Sequence, residues 1–63
     1  MQYEGYMNTA KYKIGDRVIL NGSVGVITDG PKEVWSYVLY EVRVVVDGAT
    51  VYPRVYGHEI RPA

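Results

Sequence analysis

The sequence predicts an all-β fold: a five-stranded antiparallel small barrel over residues 11–63, preceded by an arm over residues 1–10. Three observations predict it. Residues 37–52 alternate apolar and mixed positions, break at Asp47-Gly48, and resume as a second strand. An Asp-Gly pair supplies the positive φ angles that a two-residue type I′ hairpin turn needs. Short runs rich in Val, Ile and Tyr recur between turn residues, and no segment carries the apolar period of a helix.

The elements follow in order. Residues 1–9 lack a clean period; Tyr3, Tyr6 and Met7 are interrupted by polar residues and Gly5. The stretch reads as a mobile arm or a strap laid over the barrel. Residues 11–15 lead in, and 16–20 form a first strand with Val18 and Leu20 on one face. Asn21-Gly22 is a turn signal. Residues 24–28 form a second strand, where Gly25 suggests a bulge or a sharp bend. Residues 29–33 read as a loop, because Pro31 removes a backbone donor just after Asp29-Gly30. Val34-Trp35-Ser36 fits either a loop tip or a strand start. Residues 37–46 are the third and longest strand and 49–52 the fourth; 53–57 form a short 3₁₀ turn, and 58–61 close the barrel before Pro62.

The Asp-Gly turn fixes cross-strand neighbours. Val46 faces Ala49, Val45 faces Thr50, Val44 faces Val51, and Arg43 faces Tyr52. Val42, Val44, Val46, Ala49 and Val51 then share the core face with Val38 and Tyr40. Glu41, Arg43, Val45, Thr50 and Tyr52 share the other. The expected core is Val18, Leu20, Ile27, Tyr40, Val42, Val44, Val51 and Ile60.

Composition bounds the function. Sixty-three residues make one domain. Such a core rarely supplies more than about 3–5 kcal/mol, so mini-domains usually carry a staple. With no cysteine there is no disulfide or Cys-based zinc site, and one histidine cannot build a His-rich metal centre. No metal and no cofactor is expected. Net charge is zero, which argues against a generic nucleic-acid binder. No apolar run reaches the length of a membrane span, and the first residues lack the pattern of a signal peptide, so the chain reads as cytoplasmic. Seven tyrosines, one tryptophan and no phenylalanine stand out. Tyrosine suits both the boundary of a tiny barrel and a contact surface.

Gly15-Asp16-Arg17-Val18, Gly25-Val26-Ile27, the long third strand, the Asp-Gly hairpin and the turn before Glu59-Ile60-Arg61-Pro62 together resemble the SH3-like small barrels, over residues 14–62. The opening also resembles the KOW motif of ribosomal and transcription-elongation proteins, although Asn21-Gly22-Ser23-Val24 spaces the glycines more closely and lacks the basic residues. Gly15-Asp16-Arg17-Val18 with Val51-Tyr52-Pro53 is similar to the plasmid-borne type II dihydrofolate reductases, which work as homotetramers around a pore. Where that family carries a pore glutamine this chain has Thr50. Where it carries lysines after the first strand this chain has Ile19, Leu20 and Asn21. The resemblance therefore implies the fold without the pore chemistry.

No catalytic set emerges. His58 and Glu59 are neighbours on the expected closing strand and would point to opposite faces. Ser23 and Ser36 have no identifiable base. Gly22, Gly25 and Gly30 precede no helix and no Lys-Ser/Thr pair, so they form no phosphate loop. Lys11, Lys13 and Arg17, beside Tyr12, form either a phosphate-contacting stripe or a solvated edge whose lysines discourage aggregation. Trp35 either caps the core or anchors a contact. The expected function is a non-catalytic interaction module that binds a protein partner or a second copy through Trp35, Tyr37, Arg43, Tyr52, Tyr3 and Tyr6. A stand-alone barrel of this size is the kind of product expected of a phage or mobile bacterial element. The alternatives are a KOW-like nucleic-acid binder using Lys11, Tyr12, Lys13 and Arg17, and, less favoured, an oligomeric pore enzyme.

Overall fold

Turn chemistry sets the order of the strands. The computed structural model describes residues 11–63; the arm over residues 1–10, with Tyr3 and Tyr6, lies outside them. Six strands follow: β1 (Arg17–Leu20), β2 (Ser23–Val34), β3 (Tyr37–Val46), β4 (Ala49–Val51), β5 (Arg54–Tyr56) and β6 (Ile60–Pro62), with a 3₁₀ turn (Gly57–Glu59) before the last. Asn21 and Gly22 take φ of 50° and 83°, and Asp47 and Gly48 take 50° and 81°. Both turns thus have the paired positive φ angles of type I′, whose twist matches the flanking strands.

The strands form one antiparallel sheet in the order β4-β3-β2-β1-β6, with β5 also on β3. Its two ends, β4 and β6, are not paired with each other, so the ladder is open where a closed barrel was expected. The extra strand has a local cause. Val44 faces Val51 and Glu41 faces Arg54, so the register passes Tyr52-Pro53 without a slip. The Val42 N–H donates to the Pro53 carbonyl at 3.0 Å. The chain therefore stays alongside β3 instead of turning away, and the 3₁₀ turn expected over 53–57 moves to Gly57–Glu59.

β2 also departs from expectation. It runs through the segment read as a loop, 29–33, and is twelve residues long. Two register shifts against β3, between Ile27 and Asp29 and between Asp29 and Lys32, absorb the extra residues. At the first, the Thr28 hydroxyl donates to the Glu41 carbonyl and carboxylate, at 3.3 and 3.0 Å. At the second, Gly30 takes φ +101°, and a Cβ there would lie 2.7 Å from the Leu39 carbonyl oxygen. Gly25 is no bulge: it pairs with Val18 on one side and Val44 on the other. It is glycine because a Cβ would lie 2.6 Å from Val42 Cγ1 and 2.8 Å from the Arg43 carbonyl oxygen.

The core is Tyr12, Val18, Ile27, Tyr40, Val42, Val44, Val55 and Ile60, with Leu20 and Val38 packed against it. Fully burying a side chain such as Ile27 or Val42 is worth about 1.5–3 kcal/mol. Val51 was expected inside and is 38% exposed, and Val46 on the same face is 48% exposed. The burial ends at Val44 because nothing among the described residues covers the β3–β4 end. Tyr12 replaces them as a core residue. Its N–H donates to the Tyr40 hydroxyl at 3.2 Å, and its own hydroxyl donates to the Ile60 carbonyl at 3.4 Å. The two rings meet edge to face with centroids 5.5 Å apart. Burial, then the neighbouring Tyr40, pushes the Tyr12 hydroxyl pKa up.

Candidate functional site

The β2–β3 hairpin outgrows its neighbours. β1 pairs with β2 only as far as Val26, and β5 pairs with β3 only over Leu39 to Glu41. Beyond Lys32↔Leu39 the hairpin continues as a two-strand ribbon closed by the pair Val34↔Tyr37. Residues 31–37 are all exposed. The turn itself is Trp35-Ser36, and Trp35 takes φ 60°. A bulky side chain in the left-handed region is a true outlier, with a cost of about 1–2 kcal/mol. Trp35 is 93% exposed, so it does not cap the core.

An aromatic row begins one residue behind the turn. Tyr37, 53% exposed, lies 5.1 Å from the Tyr56 ring, and Tyr56 stacks on His58 at 5.5 Å with planes 14° apart. The register explains the first contact. Leu39 faces Tyr56, which makes Tyr37 a diagonal neighbour on the same face. The Tyr56 N–H donates to Glu59 Oε1 at 3.4 Å, which ties the 3₁₀ turn to β5 beneath the row. Tyr56 and His58 were missed from sequence because no strand was read at 54–56. The alternation Tyr52, Arg54, Tyr56 was the available signal.

Arg43 and Tyr52 lie on the same outer face as Tyr37, and the unbroken register sets them opposite each other. Both are exposed. They stand about 20 Å from Tyr37, at about 3.3 Å per residue along β3. The structure thus divides the predicted contact set in two: Trp35 and Tyr37 at the tip, joined by Tyr56 and His58, and Arg43 with Tyr52 nearer the Asp-Gly turn.

The alternative basic set is also divided. Lys11, Lys13 and Arg17 are exposed, but Tyr12 is buried with its ring against Tyr40, so it offers no face for stacking on a base. Lys13 is engaged by Asp16: Nζ donates to Oδ1 and the backbone N–H to Oδ2, each at 3.1 Å. These bonds from Lys13 lower the Asp16 carboxyl pKa. Lys11 and Arg17 line one shallow groove of about 430 Å³ with Asp16 and Pro62.

His58 and Glu59 sit in the 3₁₀ turn, not on a strand as expected, with the imidazole stacked on Tyr56 and the carboxylate accepting the Tyr56 N–H. Among the described residues, no three His, Asp or Glu side chains are grouped to hold a metal ion. None of their helices is long and apolar enough to cross a membrane. The chain matches no protein-family model, no curated protein and no solved structure.

Proposed function

We propose that this chain is a non-catalytic interaction module of SH3-like layout that docks a protein partner through the tip of its β2–β3 hairpin. Five of the six strands follow the expected order, and a 3₁₀ turn precedes the last, which supports the SH3-like reading. One observation carries the function: Trp35, 93% exposed, stands at a left-handed φ on a bare two-strand ribbon. Only the first residue of this turn has a positive φ, so a sequence selected for folding alone would place glycine there. Large aromatics bury roughly 150–250 Å² each, worth about 4–6 kcal/mol of gross transfer free energy at 25 cal/mol/Å². The flanking charges, Lys32 and Glu33, cancel, which favours a protein surface over a phosphate backbone.

Trp35 is the chain's one tryptophan, so its fluorescence reports on the tip directly. Emission from the free chain is expected at the long wavelength of a water-exposed indole, with a blue shift when the partner binds. Trp35→Ser and Tyr37→Ser are expected to abolish capture of that partner from the host lysate while leaving the melting temperature unchanged. Capture that survives both substitutions refutes the assignment. A second reading, a nucleic-acid binder, has the Lys11/Arg17 groove in its favour. Oligonucleotide titration at about 0.15 M salt separates the two, since phosphate-driven binding weakens steeply with salt.

A further inference from the structure

The β4–β5 edge carries a row of backbone hydrogen-bonding groups that no other strand among the described residues pairs with. In an antiparallel ladder, hydrogen-bonded and non-hydrogen-bonded pairs alternate. The Val42 N–H bonds to the facing Pro53 carbonyl, so Val44 with Val51 and Tyr40 with Val55 are the bonded pairs. Thr50, Tyr52 and Arg54 fall between them. They turn their N–H and C=O groups away from β3, and no strand among the described residues lies on that side. The next residue in the row, Tyr56, already gives its N–H to Glu59.

Edge strands normally defend such a row with lysine, or with a proline whose missing donor faces outward. This edge has neither. Residues 49–56 contain no lysine, and Pro53 aims its donorless nitrogen inward at Val42. The proline costs the internal ladder a bond and leaves the outer row whole.

We infer that this edge joins two copies of the chain in antiparallel register about a two-fold axis at Tyr52. Outward residues must face outward residues, which leaves few registers. Centring on Tyr52 pairs Thr50 of each copy with Arg54 of the other and satisfies all three outward residues of both. Centring on Arg54 would set two guanidinium groups face to face. Centring on Val51 would leave Arg54 without a backbone partner beside the Asp-Gly turn. Arg54 is the one charge on the edge, so the Tyr52 register meets no like-charge opposition. Val51 and Tyr52, 38% and 54% exposed, lie on the seam and lose water on pairing. The interface is self-complementary, as a two-fold contact must be. It is small, in the class below roughly 1,200 Å², so the dimer is weak, with a dissociation constant of roughly tens to hundreds of micromolar.

Sedimentation equilibrium of the full chain, from about 10 μM to 1 mM, is expected to show the mass rising from one chain towards two. Thr50 is exposed, so charges can be placed there without disturbing the core. Thr50→Glu sets a carboxylate against Arg54 of the second copy and is expected to tighten the dimer about five-fold; Thr50→Lys is expected to weaken it by a similar factor. Both should melt like the parent chain. A chain that stays monomeric at about 1 mM overturns the inference, as do variants that shift association in the same direction or not at all. Trp35→Ser is expected to leave the mass unchanged. If it abolishes association instead, the hairpin tip, not this edge, joins the copies. Partner capture lost in Trp35→Ser and kept in Thr50→Lys separates this surface from the tip.

Discussion

Two hairpins of this sheet close with loops of the same length and opposite chemistry. The β3–β4 hairpin turns on Asp47-Gly48, with φ of 50° and 81°, residues that tolerate the left-handed region. The β2–β3 hairpin turns on Trp35-Ser36, with Trp35 at 60°. Local preference explains the first turn completely and opposes the second. The second forms because β2 and β3 pair from Gly25↔Val44 outward to Val34↔Tyr37 and bring the ends together regardless of what lies between. A conflict between local propensity and global pairing is the pattern expected where a position answers to something other than folding.

Glycine substitutions probe the two hairpins most strongly. Gly30→Ala meets both the positive φ and the Leu39 carbonyl at 2.7 Å. It is expected to cost at least about 2–3 kcal/mol in urea melts. Gly48→Ala meets a similar φ but nothing within 4 Å. It should cost only about 1 kcal/mol. Equal costs would mean that the β2 irregularity is soft and does not hold the tip hairpin in place.

Core truncations come next. Val42→Ala is expected to cost about 2 kcal/mol through lost burial and a cavity, while Val51→Ala should cost less than about 1 kcal/mol. Val42 is fully buried and Val51 is 38% exposed. A Val51→Ala cost that grows with protein concentration would tie the exposed end to self-association. Changing the turn residues is a finer test. Trp35→Gly relieves the one positive φ of its turn and is expected to stabilise the fold by about 0.5–1.5 kcal/mol while abolishing partner capture, and Asp47-Gly48→Trp-Ser to destabilise it by a similar amount.

The smallest effect concerns pH. The Lys13 contacts lower the Asp16 pKa in the folded chain, so their contribution is complete above the ordinary carboxylate pKa and is lost as pH falls through the folded value. Asp16→Asn should remove that part of the acid-side slope in a melting-temperature profile. The pair is exposed at Lys13, 83% for the side chain, so the change will be slight. Neither hairpin turn should respond.

Much of this fold was legible, and particular residues show why. Asn-Gly and Asp-Gly carry their turn geometry in their own chemistry, so β1–β2 and β3–β4 could be placed, and the Asp-Gly register put Val42 and Val44 inside. β2 was read too short because Gly30-Pro31 carries a strong local breaking signal, which two register shifts absorb. Tyr12 entered the sequence reading only with the alternative nucleic-acid set and not as a core residue; its burial depends on Tyr40 and Ile60, distant in sequence. At the candidate site Trp35 and Tyr37 could be named from residue type. Tyr56 and His58 were not, because the row they extend from Tyr37 depends on β5, whose one local signal, the alternation Tyr52, Arg54, Tyr56, is interrupted by Pro53.

The sequence by itself determined the all-β class, two of the three tight turns, the long third strand and most of the buried face. Those depend on neighbours two or three residues apart, through φ preference and side-chain alternation. Only the tertiary structure decided that β5 follows β4 along β3, that Val51 stays at a wet end and that Trp35 stands clear of the core. Those outcomes depend on which strands lie beside which, and a side chain is buried only where another element arrives to cover it.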